Sequence, residues 1–174
     1  MVRPHVEYCQ YIWSQHLKTD IDKIENIQRR ASKAIPELKG MDYPARLRKL
    51  DLPTLKYRRL RGDMIECYKL MNNLYDCDVT KILKTRSSVV TTERAKRGHK
   101  HMLYADKSIK AVRKHVFSQR VVPIWNSLPE DVINANNINQ FKNRLDRCWQ
   151  NQELKFDHNA PYNHRINRPH VQTP

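Results

Sequence analysis

The chain has 174 residues, and its 33 Lys and Arg outnumber 18 Asp and Glu to give a net charge of +15. That length suits one domain, or one domain with a tail, around a modest core, and three glycines with a mean hydropathy of −0.83 point to helices with solvated faces. No apolar run approaches a membrane span, the N-terminus has no signal-peptide core, and four cysteines without a CxxC pair make no disulfide framework. The expectation is an intracellular protein, nuclear or cytoplasmic, with no membrane partner.

In chain order, Pro4 to Gln15 reads as a short helix with Val6, Tyr8, Ile12 and Trp13 largely apolar. Thr19 with Asp22 three residues on predicts the start of a second helix. Ile21, Ile24, Ile27, Ala31, Ala34 and Ile35 keep one of its faces apolar, and Lys23, Arg29, Arg30 and Lys33 fall largely off that face. Pro36 ends it. Asp42-Tyr43-Pro44 caps a shorter helix with Leu47 and Leu50 facing inward.

Leu52-Pro53-Thr54 supplies a turn and a fresh N-cap for the longest helix, Thr54 to about Asn72. Leu55, Leu60, Met64, Cys67, Tyr68 and Met71 form its buried stripe. Lys56, Arg58, Arg59 and Arg61 load its first turns, where cations oppose the helix dipole at a cost of a few tenths of a kcal/mol each. A compensating anion is therefore expected: a phosphate, or the carboxylates of Asp51, Asp63 or Glu66.

Asp78 then caps a short helix through Leu83, and regularity fades from Thr85 to Ala105. Val89 to Thr92 suits an extended segment, and Arg94 to His101 is a basic loop with one glycine. Lys107 to His115 reads as running into the next helix, with Lys110, Arg113 and Lys114 on its polar side. Phe117, Val121, Ile124, Trp125 and Leu128 recur at helical spacing until Pro129 stops the segment. Asn137, with Gln140 in the reciprocal position, caps another helix bearing Ile138, Phe141, Leu145 and Trp149. The two make an αα corner.

After Gln150 few large apolar residues remain, and the tail reads as unstructured. His158, His164 and His170 share a spacing of six, which suits a metal only if the tail folds, so no metal or cofactor is expected. The fold expectation is mostly α: an irregular bundle of about six to seven helices, a basic loop, room for a short β segment near residues 88–104 and a disordered tail. The divisions fall at 1–83, 84–116, 117–150 and 151–174.

The excess charge is local. Between Lys84 and Arg120 there are eleven Lys or Arg against Glu93 and Asp106, a surplus of nine in about a fifth of the chain. A surplus of one sign costs self-repulsion unless an anion offsets it, and nucleic acid is the anion this density suits. Catalytic chemistry finds no footing: there is no P-loop, GxSxG or HExxH, and no carboxylate group placed to hold two metals. No enzymatic activity of its own is expected.

One pattern extends beyond composition. Arg120, Val121, Val122, Trp125, Asn126, Leu128, Pro129, Asp131 and Val132, followed by Phe141, Lys142, Leu145, Asp146 and Trp149, resemble the end of the reverse transcriptase of jockey-like non-LTR (LINE-type) retrotransposons. Val2-Arg3-Pro4-His5-Val6-Glu7-Tyr8-Cys9, Gln28-Arg29-Arg30-Ala31, Leu52-Pro53, Arg58 to Met64 and Arg97-Gly98-His99 are similar to that family in the expected order. The resemblance implies the helical thumb and C-terminal extension of an RNA-directed DNA polymerase, without the palm and its catalytic aspartates. It also implies a grip on template and primer, with the palm as a further partner.

Charge and resemblance together predict sequence-tolerant binding of RNA, RNA/DNA hybrid or single-stranded nucleic acid. The residues expected to carry it are Arg94, Lys96, Arg97, Lys100, Lys110, Arg113 and Lys114, with Arg58, Arg59 and Arg61 second. Arg120 suits an internal salt bridge as well as a phosphate. The alternative is a decayed or host-adopted remnant acting as a helical protein-interaction module.

Overall fold

The computed structural model describes residues 8, 17–76, 78, 81–90, 99, 101–107 and 110–164. Among them the structure is helical, with no strand: α1 (Lys18–Lys33), α2 (Tyr43–Lys49), α3 (Leu55–Met71), α4 (Arg86–Val89), α5 (Ala111–Lys114), α6 (Phe117–Trp125), α7 (Glu130–Ile133) and α8 (Ile138–Cys148). The helix expected over Pro4 to Gln15 lies outside the described residues. The chain forms two compact units rather than the four segments expected. One comprises described residues up to Gly62 together with 151–162; the other comprises those from Asp63 to Gln150, with 163 and 164.

In the first unit, α1 begins at Lys18 with no side-chain cap, so the Thr19 and Asp22 capping pair is not made. Asp20 instead pairs with Lys23 at 3.2 Å, and Asp22 faces the buried ring of His158 at 3.4 Å. The inward face is also not the predicted one. Glu25, Gln28 and Ser32 are buried, while Ile27 is 38% exposed and Ala31 and Ala34 lie open.

The reason is a polar network that scoring for apolar residues misses. The Glu25 carboxylate accepts the Tyr43 hydroxyl at 2.6 Å with one oxygen and the Leu55 amide at 3.0 Å with the other. Gln28 Nε2 donates to the Tyr43 oxygen and to the Pro53 carbonyl. Arg46, also buried, donates from Nε to Ser32 Oγ and from Nη1 to the Met41 carbonyl. Glu25 therefore supplies an anion at the start of α3, one not among the carboxylates expected from α3 and its approach.

Capping predictions hold on the next two helices. Asp42 accepts the Ala45 amide at 3.2 Å with proline in the first turn, and Leu47 is wholly buried. Thr54 Oγ accepts the Tyr57 amide at 3.1 Å. The same hydroxyl donates to the Leu154 carbonyl at 2.7 Å, and the Thr54 amide donates to the Lys155 carbonyl at 2.9 Å. Lys56 Nζ reaches the carbonyls of His158 and Ala160. The expectation of disorder beginning at Gln150 is thereby corrected. Residues 151–162 belong to the first unit, with a 3₁₀ turn at Glu153–Lys155 and Leu154, Gln152 and His158 buried. Backbone carbonyls and the single buried Leu154 side chain hold the segment there, and residues 165–174 lie outside the described part.

The second unit is built on the expected corner. Val121 and Trp125 of α6, Phe141 and Leu145 of α8, and Met64 and Cys67 of α3 are all at 0% exposure and make its centre. The Tyr68 ring stacks on Phe141 at 4.4 Å between centroids, and its hydroxyl donates to the Ala135 carbonyl at 2.6 Å. Asn137 caps α8 by accepting the Gln140 amide, and Gln140 Oε1 accepts the Asn136 amide in return. Between α6 and α8 the proline turn is longer than expected, because Pro129 sits at the N-cap of the extra turn α7.

Candidate nucleic-acid interface

The described members of the first predicted set lie just before α6. Lys110, Arg113 and Lys114 are exposed on the single turn α5, closed by the Arg113 amide to the Lys110 carbonyl at 3.1 Å. From Lys107 to Lys114 the sequence has no acid. The expected run of helix into Phe117 does not occur: Val116 is extended at φ −65° and ψ 152°, and its carbonyl starts α6 by accepting the Gln119 and Arg120 amides. A break here frees α5 from the core-facing register of α6.

Arg120 anchors that break. Its Nη1 donates to the His115 carbonyl at 3.2 Å, and its Nε and Nη2 donate to the two oxygens of buried Asp63. Its guanidinium also lies 5.4 Å from the centre of the Phe117 ring. Of the two roles open to Arg120, the internal salt bridge is the one formed.

Arg94, Lys96, Arg97 and Lys100 lie outside the described residues. The chain on both sides of them is fixed. Thr85 and Leu103 form an isolated antiparallel bridge, with the Arg86 amide donating to Met102 and the Tyr104 amide to Lys84. Among the described residues, the β segment expected near residues 88–104 is represented by this pair, and Val89 sits in helical α4 instead of extended chain. Asn126 doubles the clamp: its side-chain amide donates to the Leu103 carbonyl and accepts the Leu103 amide, at 2.9 and 2.8 Å. Trp125 Nε1 donates to the His101 carbonyl. The adjacent Trp and Asn that looked like motif residues thus position the base of the basic stretch, a role that spacing alone does not reveal.

Beside this clamp, His99 is buried and neither ring nitrogen has a hydrogen-bond partner. Burial pushes its pKa below the usual value, outweighing the Trp125 backbone and Glu130. Lys84 pairs with Asp106 at 3.1 Å, which takes the one described acid of the region.

The second set divides. Arg58 and Arg61 are half-buried, each with interactions of its own, whereas Arg59 is only 5% exposed and is closed to a phosphate backbone in this conformation. Among the described residues no His, Cys, Asp or Glu cluster could hold a metal ion, and no helix is long and apolar enough to cross a membrane. Against known proteins, no family model, curated protein or solved structure matches the chain.

Proposed function

We propose that the chain binds RNA, RNA/DNA hybrid or single-stranded nucleic acid without sequence preference, as the thumb-like C-terminal part of a non-LTR retrotransposon reverse transcriptase, and performs no polymerisation itself. The observation that carries this reading is the acid-free turn presenting Lys110, Arg113 and Lys114. Three exposed cations on one short turn suit a phosphate backbone, where each contact releases counterions. In the sequence, Arg94, Lys96, Arg97 and Lys100 add four more cations to the same basic region.

Titration of a labelled RNA/DNA hybrid, from low to physiological salt, tests the reading. Affinity should fall steeply as salt rises. A flat salt response, or primer extension by the chain alone, would count against it.

A further inference from the structure

A helix normally buries its apolar stripe, yet α1 buries its polar one. Leu17, at its N-cap, is 53% exposed; Ile24 is half-buried, Ile27 is 38% exposed, and Ala31 and Ala34 are open. These positions recur at spacings of three, four and seven, so they form one stripe along about 25 Å of helix. The helix cannot simply roll to hide it. Glu25 is committed to the start of α3 and to Tyr43, and Gln28 and Ser32 to Pro53 and Arg46.

Lys23 and Arg30, three or four positions from Ile27 and Ala34, stand exposed along one border of the stripe, and the border on the other side is sealed by the polar network. Asp20, three positions after Leu17 and four before Ile24, falls on the stripe itself, where Lys23 engages it at 3.2 Å. We propose that this stripe is a docking surface for an amphipathic helix of a partner protein, one whose apolar face is edged by carboxylates. Ala31 and Ala34 leave a shallow trough in which a second helix can lie close, and Lys23 and Arg30 meet acids on that helix's flank.

A second copy of the chain would bring a like-charged border, at a net +15, against its own. A lipid surface calls for large side chains that reach into it and for cations on both sides, whereas this stripe ends in alanines and has cations on one side only. The inference does not depend on the nucleic-acid reading, because the stripe shares no residue with the turn at Lys110.

The test is fluorescence anisotropy of the full chain with a helical probe peptide of about five turns, leucines on one face and glutamates along its flanks. The glutamate peptide should bind, and the same peptide with lysines for glutamates should not. Ile27→Asp, and independently Ala31→Arg, should each weaken binding about tenfold or more, with circular dichroism and melting temperature unchanged. No binding, or equal binding of both peptides, overturns the proposal. So does a dimer in sedimentation, or capture on anionic vesicles, that Ile27→Asp abolishes. A large fall in melting temperature for Ile27→Asp would show that the chain covers the stripe itself, which also overturns it.

Discussion

Arg120 and Asp63, 57 positions apart, form a two-pronged ion pair with both hydrogen bonds at 2.9 Å, the aspartate side chain 3% exposed and the arginine 16%. Through the His115 carbonyl the same guanidinium holds the junction between α5 and α6. Arg120→Ala removes the fork from a buried carboxylate and should cost about 3 kcal/mol in urea unfolding. Arg120→Lys should recover less than half of that, since lysine cannot present two parallel donors. A loss under about 1 kcal/mol would show the pair to be peripheral.

The exposed turn behaves differently if it meets phosphate. Replacing Lys110, Arg113 and Lys114 together by alanine should lower affinity for hybrid or single strand and reduce the log–log salt slope by about 2 to 3. The melting temperature should stay put, because all three are exposed. Arg59→Ala should do the reverse, lowering stability while leaving the slope alone, since Arg59 is buried. An unchanged slope in the triple variant would move the interface elsewhere.

Glu25 joins three pieces of the first unit at one carboxylate. Glu25→Ala leaves the Leu55 amide and the Tyr43 hydroxyl without that acceptor and should cost on the order of 2 to 4 kcal/mol, with Glu25→Gln costing less. Burial first, and then the hydrogen bond to Glu25, raise the Tyr43 pKa well above 10. A raised pKa means that the contribution from Tyr43 is whole below about pH 10 and is lost as the pH climbs beyond it. Tyr68 and Tyr75 are also raised, so ultraviolet titration should show several late-ionising tyrosines, with one fewer in Tyr43→Phe. All tyrosines ionising together near pH 10 would contradict the network.

Which parts of this could be read in the sequence follows from what each part depends on. The corner of α6 and α8 was legible because Trp125, Phe141, Leu145 and Trp149 sit at helical spacing and Asn137 and Gln140 form a local cap. The caps at Asp42 and Thr54 were legible for the same reason. The orientation of α1 was not, because it is set by bonds from Glu25 to residues 18 and 30 positions away. Nor was the seating of residues 151–162, whose backbone carbonyls meet Thr54 and Lys56 about a hundred positions earlier. In the candidate interface, Lys110, Arg113 and Lys114 follow from charge alone, but Asn126 as a clamp requires knowing that Leu103 lies beside it.

Leu154 tests the reassigned C-terminal segment. It is fully buried, and its carbonyl accepts the Thr54 hydroxyl. If residues 151–162 were loosely attached, trimming this side chain would do nothing. In the seated arrangement Leu154→Ala opens a cavity and should cost about 3 kcal/mol. Hydrogen exchange at the Thr54 and Tyr57 amides should quicken at the same time. An unchanged unfolding midpoint would return the segment to the disordered class.

His99 makes stability depend on pH in a calculable direction. Its ring is buried with no hydrogen-bond partner, and burial, reinforced by nearby His101, depresses its pKa below the ordinary 6.5 despite the opposing pull of the Trp125 backbone and Glu130. Between the folded and unfolded pKa values the unfolded chain binds more protons, so stability rises with pH across that window. The contribution of the neutral ring is whole above about pH 6.5 and is withdrawn as the pH falls below it, with the clamp at Trp125 and Asn126 the first structure to feel the charge. His99→Phe keeps an aromatic ring there and removes the proton site. Urea midpoints for the two proteins, taken from neutral to mildly acidic pH, should diverge below 6.5, with the native chain losing more. Parallel curves would mean that the charged imidazolium is accommodated where it stands.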